Sequence, residues 1–289
     1  VVLVPQYANA SINTTAALAG PHWDGTQGGI VALTVCGTLS VNGTINATGL
    51  GYRAGIAKDN DATCTAESQG MAGEGFRSGY GPAVHGRLNP DSGGGGAQCV
   101  NSGGGGGAHR GQGGRGGIWA ATPTRPRALG GQPFTTSASQ LVMGGGGGAG
   151  AGEDNVATSG GPGGGVIWLR AASLAGAGQV SAAGASGIDR SGGPRDGVGG
   201  GGAGGTLNVV VNTIAMPCEN MNAVGGAGGN VNTGHGGGGG GGGGFAYVRV
   251  TSGVPESCVI DVSGGTGGGS GDPEGFGAAG LDGAFALDS

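Results

Sequence analysis

The hydrophobic residues of this chain are gathered in short runs with strand-like alternation, and glycine immediately precedes most of these runs. In the run from Phe245 to Val250, aliphatic residues at every second position alternate with Phe, Tyr and Arg, and the run follows nine consecutive glycines, Gly236 to Gly244. Alternation of this kind over about four to eight positions is typical of a β-strand with one buried face. The same junction of glycine and a strand-like run recurs after Gly29, Gly117, Gly165 and Gly205.

These junctions predict repeat units that begin near residues 29, 117, 165, 205 and 244. In the last three units a second strand-like run follows, at 179–182, 220–224 and 258–262, and then a glycine-rich return. In the first unit, Asn42-Gly43 lies between two such runs, which is a strong hairpin signal. A unit this short cannot bury a core alone, whereas stacked neighbours can.

We therefore predict an all-β fold with essentially no α-helix. Its architecture is expected to be a repetitive array of strands and hairpins, solenoid- or sandwich-like. Residues 29–289 are predicted to form a single glycine-rich repeat domain, and residues 1–28 an N-terminal segment.

Composition adds a second structural element. Glycine accounts for 81 of the 289 residues, against a background of about 7%. Ordering each glycine costs more backbone entropy than ordering any other residue. Because glycine has no side chain, backbone hydrogen bonds must offset that cost. We expect the glycine tracts to be polyproline II-type helices, with three residues per turn, packed on one another. Collagen is excluded, because the glycines come in blocks without a strict third-residue period.

The two ends of the sequence are apolar. Val1, Val2, Leu3 and Val4 form a β-prone run before Pro5, and Phe276 to Leu287 carries apolar residues between small ones. Repeat arrays need polar caps to stay soluble, and neither stretch resembles a cap. One hypothesis is that Val1–Val4 is donated to the sheet edge of a neighbouring subunit. The alternative is that it forms the first strand of its own domain.

Five cysteines are present. Cys218 and Cys258 lie at matching offsets after Gly205 and Gly244, so we predict a disulfide between neighbouring units. Cys64 and Cys99 bracket an irregular stretch, which they could close with a second disulfide, and Cys36 is left over. Disulfides imply an oxidising compartment; the alternative is a set of small buried thiols in a reducing one.

Four Asn-x-Ser/Thr sequons begin at Asn9, Asn13, Asn42 and Asn46. They are candidate glycosylation sites of an extracellular protein, or simply part of an Asn/Thr-rich strand surface. Both the sequons and the cysteines favour an extracellular or cell-surface location. No apolar stretch reaches the length of a membrane span.

Residues for chemistry are sparse. The four histidines are scattered and no nucleophile–His–carboxylate set is recognisable, so no catalytic residues are predicted and the chain is not expected to be an enzyme. Asp59-Asn60-Asp61 lacks the spacing of a calcium loop, and C-x-x-C is missing, so no metal site or cofactor is predicted. The formal net charge is −5, which disfavours nucleic acid as a partner.

The glycine tracts of residues 90–270 resemble, in composition, three kinds of protein: the tip adhesins of phage long tail fibres, the antifreeze proteins of snow fleas, and the glycine-rich ectodomain region of anaplastic lymphoma kinase receptors. The resemblance implies packed glycine helices. The unit of Gly-Gly, a strand, and later Val180-Ser181-Ala182-Ala183-Gly184 or Val262-Ser263-Gly264-Gly265 is similar to large glycine-rich secreted proteins of bacteria, which are surface or fibre components.

From these features we expect an extracellular structural protein, the subunit of a self-assembling fibre, pilus-like filament or surface layer. It is expected to polymerise with itself through exchange of a terminal strand, and surface glycans are a further candidate partner. Three alternatives remain. A receptor-binding tip adhesin would concentrate aromatic loops at one end. An ice-binding protein would show a flat Thr or Ala face. A polysaccharide-acting β-helix enzyme would need a cluster of carboxylates on one face.

Overall fold

The computed structural model of the chain describes residues 3–59, 69–76, 91–121, 124–153, 156–191, 196–253 and 257–288. The strands within these ranges are β1 (Gln6–Tyr7), β2 (Ala10–Ile12), β3 (Ala17–Ala19), β4 (Ile30–Val41), β5 (Thr44–Asn46), β6 (Lys58–Asp59), β7 (Ala151–Gly152), β8 (Val166–Ala175), β9 (Gln179–Ser181), β10 (Thr206–Ile214), β11 (Met221–Asn222), β12 (Phe245–Val250) and β13 (Ala284–Asp288). Short 3₁₀ helices in the described ranges span Cys218–Asn220 and Pro273–Gly275.

Seven strands form one sheet, here called the large sheet, with the order β1-β4-β8-β10-β12-β13 and with β2 also paired to β4. Four strands form the small sheet in the order β11-β9-β5-β3, and β6 pairs with β7. All of these strand pairings are parallel. The long strands of the large sheet start at the same level, at Ile30, Val166, Thr206, Phe245 and Ala284.

One hydrophobic core receives side chains from both sheets. Since successive side chains of a strand point to opposite faces, alternate residues along the first part of the long central strands enter this core. The large sheet contributes Leu33, Leu169, Val209 and Val248, and the small sheet contributes Ile45, Val180 and Met221.

The returns between strands are glycine segments that bond to one another. In the central segment, residues 236–244, three successive N–H groups donate to three different neighbouring segments. Every third N–H donates to the same neighbouring segment. Residues 236, 239 and 242 donate to the carbonyls of 101, 104 and 107; residues 237, 240 and 243 donate to those of 275, 278 and 281; residues 238, 241 and 244 donate to those of 229, 226 and 223. Donors that point in three directions in turn are those of an extended helix with three residues per turn.

This packing leaves no room for side chains in the central segment. A Cβ atom added at Gly239, Gly240 or Gly241 would clash with the carbonyl oxygen of Gly114, Gly265 or Gly202, respectively. None of the residues 236–244 has a positive φ. Glycine is therefore required here by the close approach of neighbouring backbones, and not by an unusual conformation.

The predicted repetitive array of strands and hairpins, solenoid- or sandwich-like, is wrong. Hairpins need antiparallel neighbours, whereas the paired strands here are parallel. Asn42-Gly43 joins β4 to β5, and these two strands belong to different sheets. The topology is that of an α/β-type parallel sheet, in which crossovers join the strands, and glycine segments replace the crossover helices. Within the described ranges there is no α-helix, in agreement with the sequence.

The strand predicted after Gly117 is not formed. Ile118 and Trp119 lie outside any strand, and Ile118 is buried. Gly117 instead donates its N–H to Gly237. Gly117 therefore belongs to the packed glycine segments. Ile118 and Trp119, which follow it, do not pair with any strand of the sheets.

Candidate assembly interface

The predicted bond between Cys218 and Cys258 is confirmed. It links the 3₁₀ helix that follows β10 to the stretch that follows β12, so it ties together two neighbouring layers of the fold. Cys99 is also disulfide-bonded, but its predicted partner Cys64 lies outside the described residues. Cys36 is free and exposed.

The four sequon asparagines, at 9, 13, 42 and 46, are all exposed. Two of them also support the local backbone: the Oδ1 atoms of Asn9 and Asn46 accept hydrogen bonds from the N–H groups of Thr38 and Thr48, at 2.9 and 2.8 Å. Their exposure leaves glycosylation as an open prediction.

At one end of the large sheet, the N-side edge consists of β1 and β2. Both strands pair with β4 of their own chain, and the carbonyl of Pro5 accepts a hydrogen bond from the N–H of Thr34. Of the predicted assembly residues, Val1 and Val2 lie outside the described residues, and Leu3 is 91% exposed. Donation of Val1–Val4 to another subunit stays a prediction.

The C-side edge, at the opposite end of the sheet, is β13, which pairs with β12. Ala284 donates its N–H to Gly244 on the β12 side. Since backbone groups alternate along a strand, the N–H groups of Phe285 and Leu287 point away from β12. No strand of the described residues pairs with this outer side. We did not predict this strand, although Gly283 before Ala284 repeats the junction of Gly244 and Phe245.

The glycine packing is also open at the C-side edge. In the segment 276–283, Gly280 and Leu281 donate to Gly265 and Gln112, respectively. The N–H groups of Ala279 and Asp282, which point in the third direction, have no acceptor within the described part of the chain. Both residues are exposed.

Large exposed apolar side chains mark the same two ends. Among the described residues, only Ile56 and Ile188 of this kind lie away from them. The large exposed apolar residues near the N-side edge are Leu3 and Tyr7. Those of the last layer, the part of the chain that follows β12 (residues 257–288), are Val259, Phe276, Leu281 and Leu287. The two ends thus combine unpaired backbone with apolar surface, which is the usual composition of a surface that another chain covers.

No group of three or more His, Cys, Asp or Glu side chains in the described ranges could hold a metal ion. Hydrogen bonds from Gln27 and Thr26 lower the pKa of the exposed Asp24 to about 2, as in an ordinary turn. Burial raises the pKa of Tyr52 to about 12.

His109 is the one fully buried histidine of the described residues. Its Nε2 lies 3.0 Å from the carbonyl oxygen of Val142 and 3.2 Å from Oγ1 of Thr206, and its Nδ1 has no partner. Burial lowers its pKa to about 4. The imidazole is thus a neutral, fully buried group that connects Thr206 of β10 with Val142. Because it is buried, no substrate can reach it.

The buried, neutral His109 makes the stability of the fold sensitive to acid. The unfolded chain takes up a proton on His109 near pH 6.5, whereas the folded chain resists protonation until about pH 4. Stability is therefore full above pH 6.5 and falls as the pH drops from 6.5 to 4, by up to about 3 kcal/mol. Denaturant unfolding at pH 7.5 and 4.5 should show a smaller loss for His109→Gln than for the wild type. Equal losses would contradict this assignment.

Comparison of the chain with protein-family models, curated proteins and solved structures finds no match. A search of the described residues finds no helix long and apolar enough to cross a membrane. The arguments for function therefore come from the two edges themselves.

Proposed function

We propose that the protein is an extracellular structural protein, the subunit of a self-assembling filament. The observation that carries this proposal is that both edges of one parallel sheet are open and apolar, one at each end of the molecule. The disulfide and the four exposed sequons support an oxidising, extracellular location.

The register of the large sheet supports addition of a second copy. Gln6 of the N-side edge is level with residues in each following strand, namely Thr34, Arg170, Val210, Arg249 and Asp288. If β1 of a second copy lies beside β13, it continues the same parallel order at the same level. Residues 3–5 of the second copy then lie beside residues 285–287, and the carbonyl of Val4 accepts a hydrogen bond from the unpaired N–H of Leu287.

Such a contact is heterologous, since the two surfaces that meet are different. A heterologous contact without a closing rotation generates an open chain of subunits. The strands then lie across the filament axis and the sheets run along it. The apolar residues of the two edges become buried between subunits, which contributes about 25 cal/mol per Å² of apolar area.

Two edge variants test this proposal. Leu287→Lys places a charge at the C-side edge, and Leu3→Lys places one at the N-side edge. Each is expected to abolish filaments by itself, because burial of an unpaired charge costs several kcal/mol. Mixed together, the two variants should form heterodimers and nothing longer, since each retains one intact edge.

Ile188→Lys is the matched control, because Ile188 is 56% exposed and lies away from both edges. This variant should assemble like the wild type. Light scattering and analytical ultracentrifugation give the sizes. Filaments of wild-type length from either edge variant would refute the head-to-tail contact.

A further inference from the structure

The outer face of the large sheet, opposite the core, carries a cluster of aromatic and cationic side chains. Trp168, Asn208 and Tyr247 form one row across β8, β10 and β12, and Arg170, Val210 and Arg249 form the next row. Trp168 and Tyr247 are partly exposed, and the side chain of Arg249 is 54% exposed. The stretch around Ala138 covers Asn208, which is buried, whereas the aromatic and arginine side chains beside it stay accessible. Since parallel sheets are normally covered on both faces, this accessible part of the face is a candidate binding surface.

Arg170 is held at the centre of this face. Its guanidinium carbon lies 4.2 Å from the ring centroid of Trp168. Its Nη1 donates to the carbonyls of Leu169 and Asn208 at 2.7 and 3.2 Å, and its Nη2 donates to Oδ1 of Asn208 at 2.7 Å. Asn208 is fixed in turn by donating to the carbonyl of Ala138 at 2.8 Å. The positive charge is thus positioned before any ligand arrives.

Arg170 has donors to spare and lacks a counter-ion. An arginine carries five N–H donors, and the contacts above leave two of them, one on Nε, without an acceptor among the described residues. No carboxylate of the described ranges lies within ion-pair distance of Arg170. Partial burial lowers its pKa, which is the effect of a desolvated charge that has not been neutralised. A carboxylate can accept two parallel N–H bonds from one guanidinium.

The neighbouring strand completes the arrangement. The hydroxyl of Tyr247 donates to Oδ2 of Asp288 at 2.8 Å, and Nε of Arg249 lies 3.7 Å from the same oxygen. These contacts fix the tyrosine ring beside the two arginines. The strands that carry Trp168 and Tyr247 are two positions apart, about 9.6 Å at the ordinary strand spacing, and the guanidinium of Arg170 bonds to Asn208 on the strand between them.

We propose that this face binds an acidic polysaccharide, a glycan chain that carries carboxylate groups. Pyranose rings present C–H faces that pack on Trp168 and Tyr247, and a carboxylate between them accepts from Arg170. The face carries two arginines and one aspartate although the whole chain has a formal net charge of −5, so its charge complements an anion locally. Nucleic acid is disfavoured, because its phosphate backbone needs a wider basic stripe.

The test uses polygalacturonate and its fully methyl-esterified form, which keeps the sugar rings and removes the charge. Titration calorimetry with the intact, disulfide-bonded protein should show binding of polygalacturonate and at least roughly tenfold weaker binding of the ester, the loss expected for a charge-assisted hydrogen bond. Arg170→Gln should weaken binding to a similar degree. Because Arg170 also bonds to main-chain carbonyls, Arg249→Gln serves as the second variant if Arg170→Gln fails to fold.

Arg115→Gln is the control, since Arg115 is an exposed arginine of the glycine segments, and its binding should match the wild type. Failure to bind polygalacturonate would overturn the proposal. Equal weakening by Arg115→Gln would also overturn it, because the attraction would then be non-specific. Equally tight binding of a single-stranded oligonucleotide would replace the glycan with a general polyanion. None of these outcomes depends on filament formation.

Discussion

Replacing Gly240 with alanine is expected to lower the free energy of unfolding by about 3 kcal/mol, a fall in Tm on the order of 10 °C. Gly240 lies in the middle of the central segment and donates its N–H to Ala278. The added methyl group would clash with the carbonyl oxygen of Gly265. That oxygen belongs to a backbone, so a whole neighbouring segment must move, and hydrogen bonds in the other two directions are strained with it.

Gly234→Ala is the matched control. A Cβ atom at Gly234 would have its nearest neighbour, Cβ of Ala120, at 3.5 Å, which is ordinary van der Waals contact. This variant should change the free energy of unfolding by less than about 1 kcal/mol. Denaturant unfolding of both variants measures the difference. Equal stabilities for the two variants would show that the glycine segments are not close-packed.

Removing the bond between Cys218 and Cys258 is expected to have the second large effect. The two residues are 40 apart in sequence, and a cross-link over a loop of this size stabilises a fold by about 4 kcal/mol in the chain-entropy estimate. Both cysteines are buried, so serine at these positions adds a cost for buried hydroxyl groups. The double variant Cys218→Ser, Cys258→Ser should therefore lose at least this amount.

The effect should be concentrated in the last layer of the fold. The stretch 257–263 forms none of the strands β1 to β13. The disulfide is the covalent link between this stretch and the 3₁₀ helix that follows β10. Hydrogen exchange should accelerate there before it does in β8. Cys36→Ser is the control, since Cys36 is exposed and free, and its free energy of unfolding should stay within about 0.5 kcal/mol of the wild type. A double variant as stable as Cys36→Ser would contradict the prediction.

Much of the fold could be predicted where glycine and strand patterns coincide. The strands that begin at Val166, Thr206 and Phe245 follow their glycines as predicted, and the offset of Cys218 and Cys258 identified two positions that lie side by side. These signals are local or depend on equal spacing along the chain. These signals remain valid in the folded chain because neighbouring strands pair at the same register, so equal offsets along the sequence place residues side by side.

Strand direction could not be predicted in this way. Asn42-Gly43 has the sequence of a hairpin turn, but that turn needs positive φ at glycine, and Gly43 does not have one. A Cβ atom there would clash with the carbonyl oxygens of Asn13 and Ala16. The glycine therefore serves close packing against an earlier layer. The pattern before Ile118 misled for the same reason, since a glycine needed for packing is identical in sequence to one that precedes a strand.

The candidate site was only half predicted. Apolar residues at both ends suggested assembly, and Val1–Val4 lie directly before β1, the strand of the N-side edge. The C-side edge needed the structure, because only pairing with β12 turns Ala284–Asp288 into the last strand of a sheet. The outer-face cluster was not recognised at all. Trp168, Arg170 and Tyr247 lie on different strands, and their proximity comes from a parallel register that no local pattern contains.

Cryo-electron microscopy of the purified, disulfide-intact protein tests the central claim most directly. Along the large sheet each subunit occupies six strand positions, with β1 and β2 sharing one. At about 4.8 Å per strand, the head-to-tail contact predicts filaments with an axial repeat of roughly 29 Å per subunit and strands across the axis. Particles that remain monomeric at high concentration, that close into rings, or that repeat at an unrelated distance would contradict it.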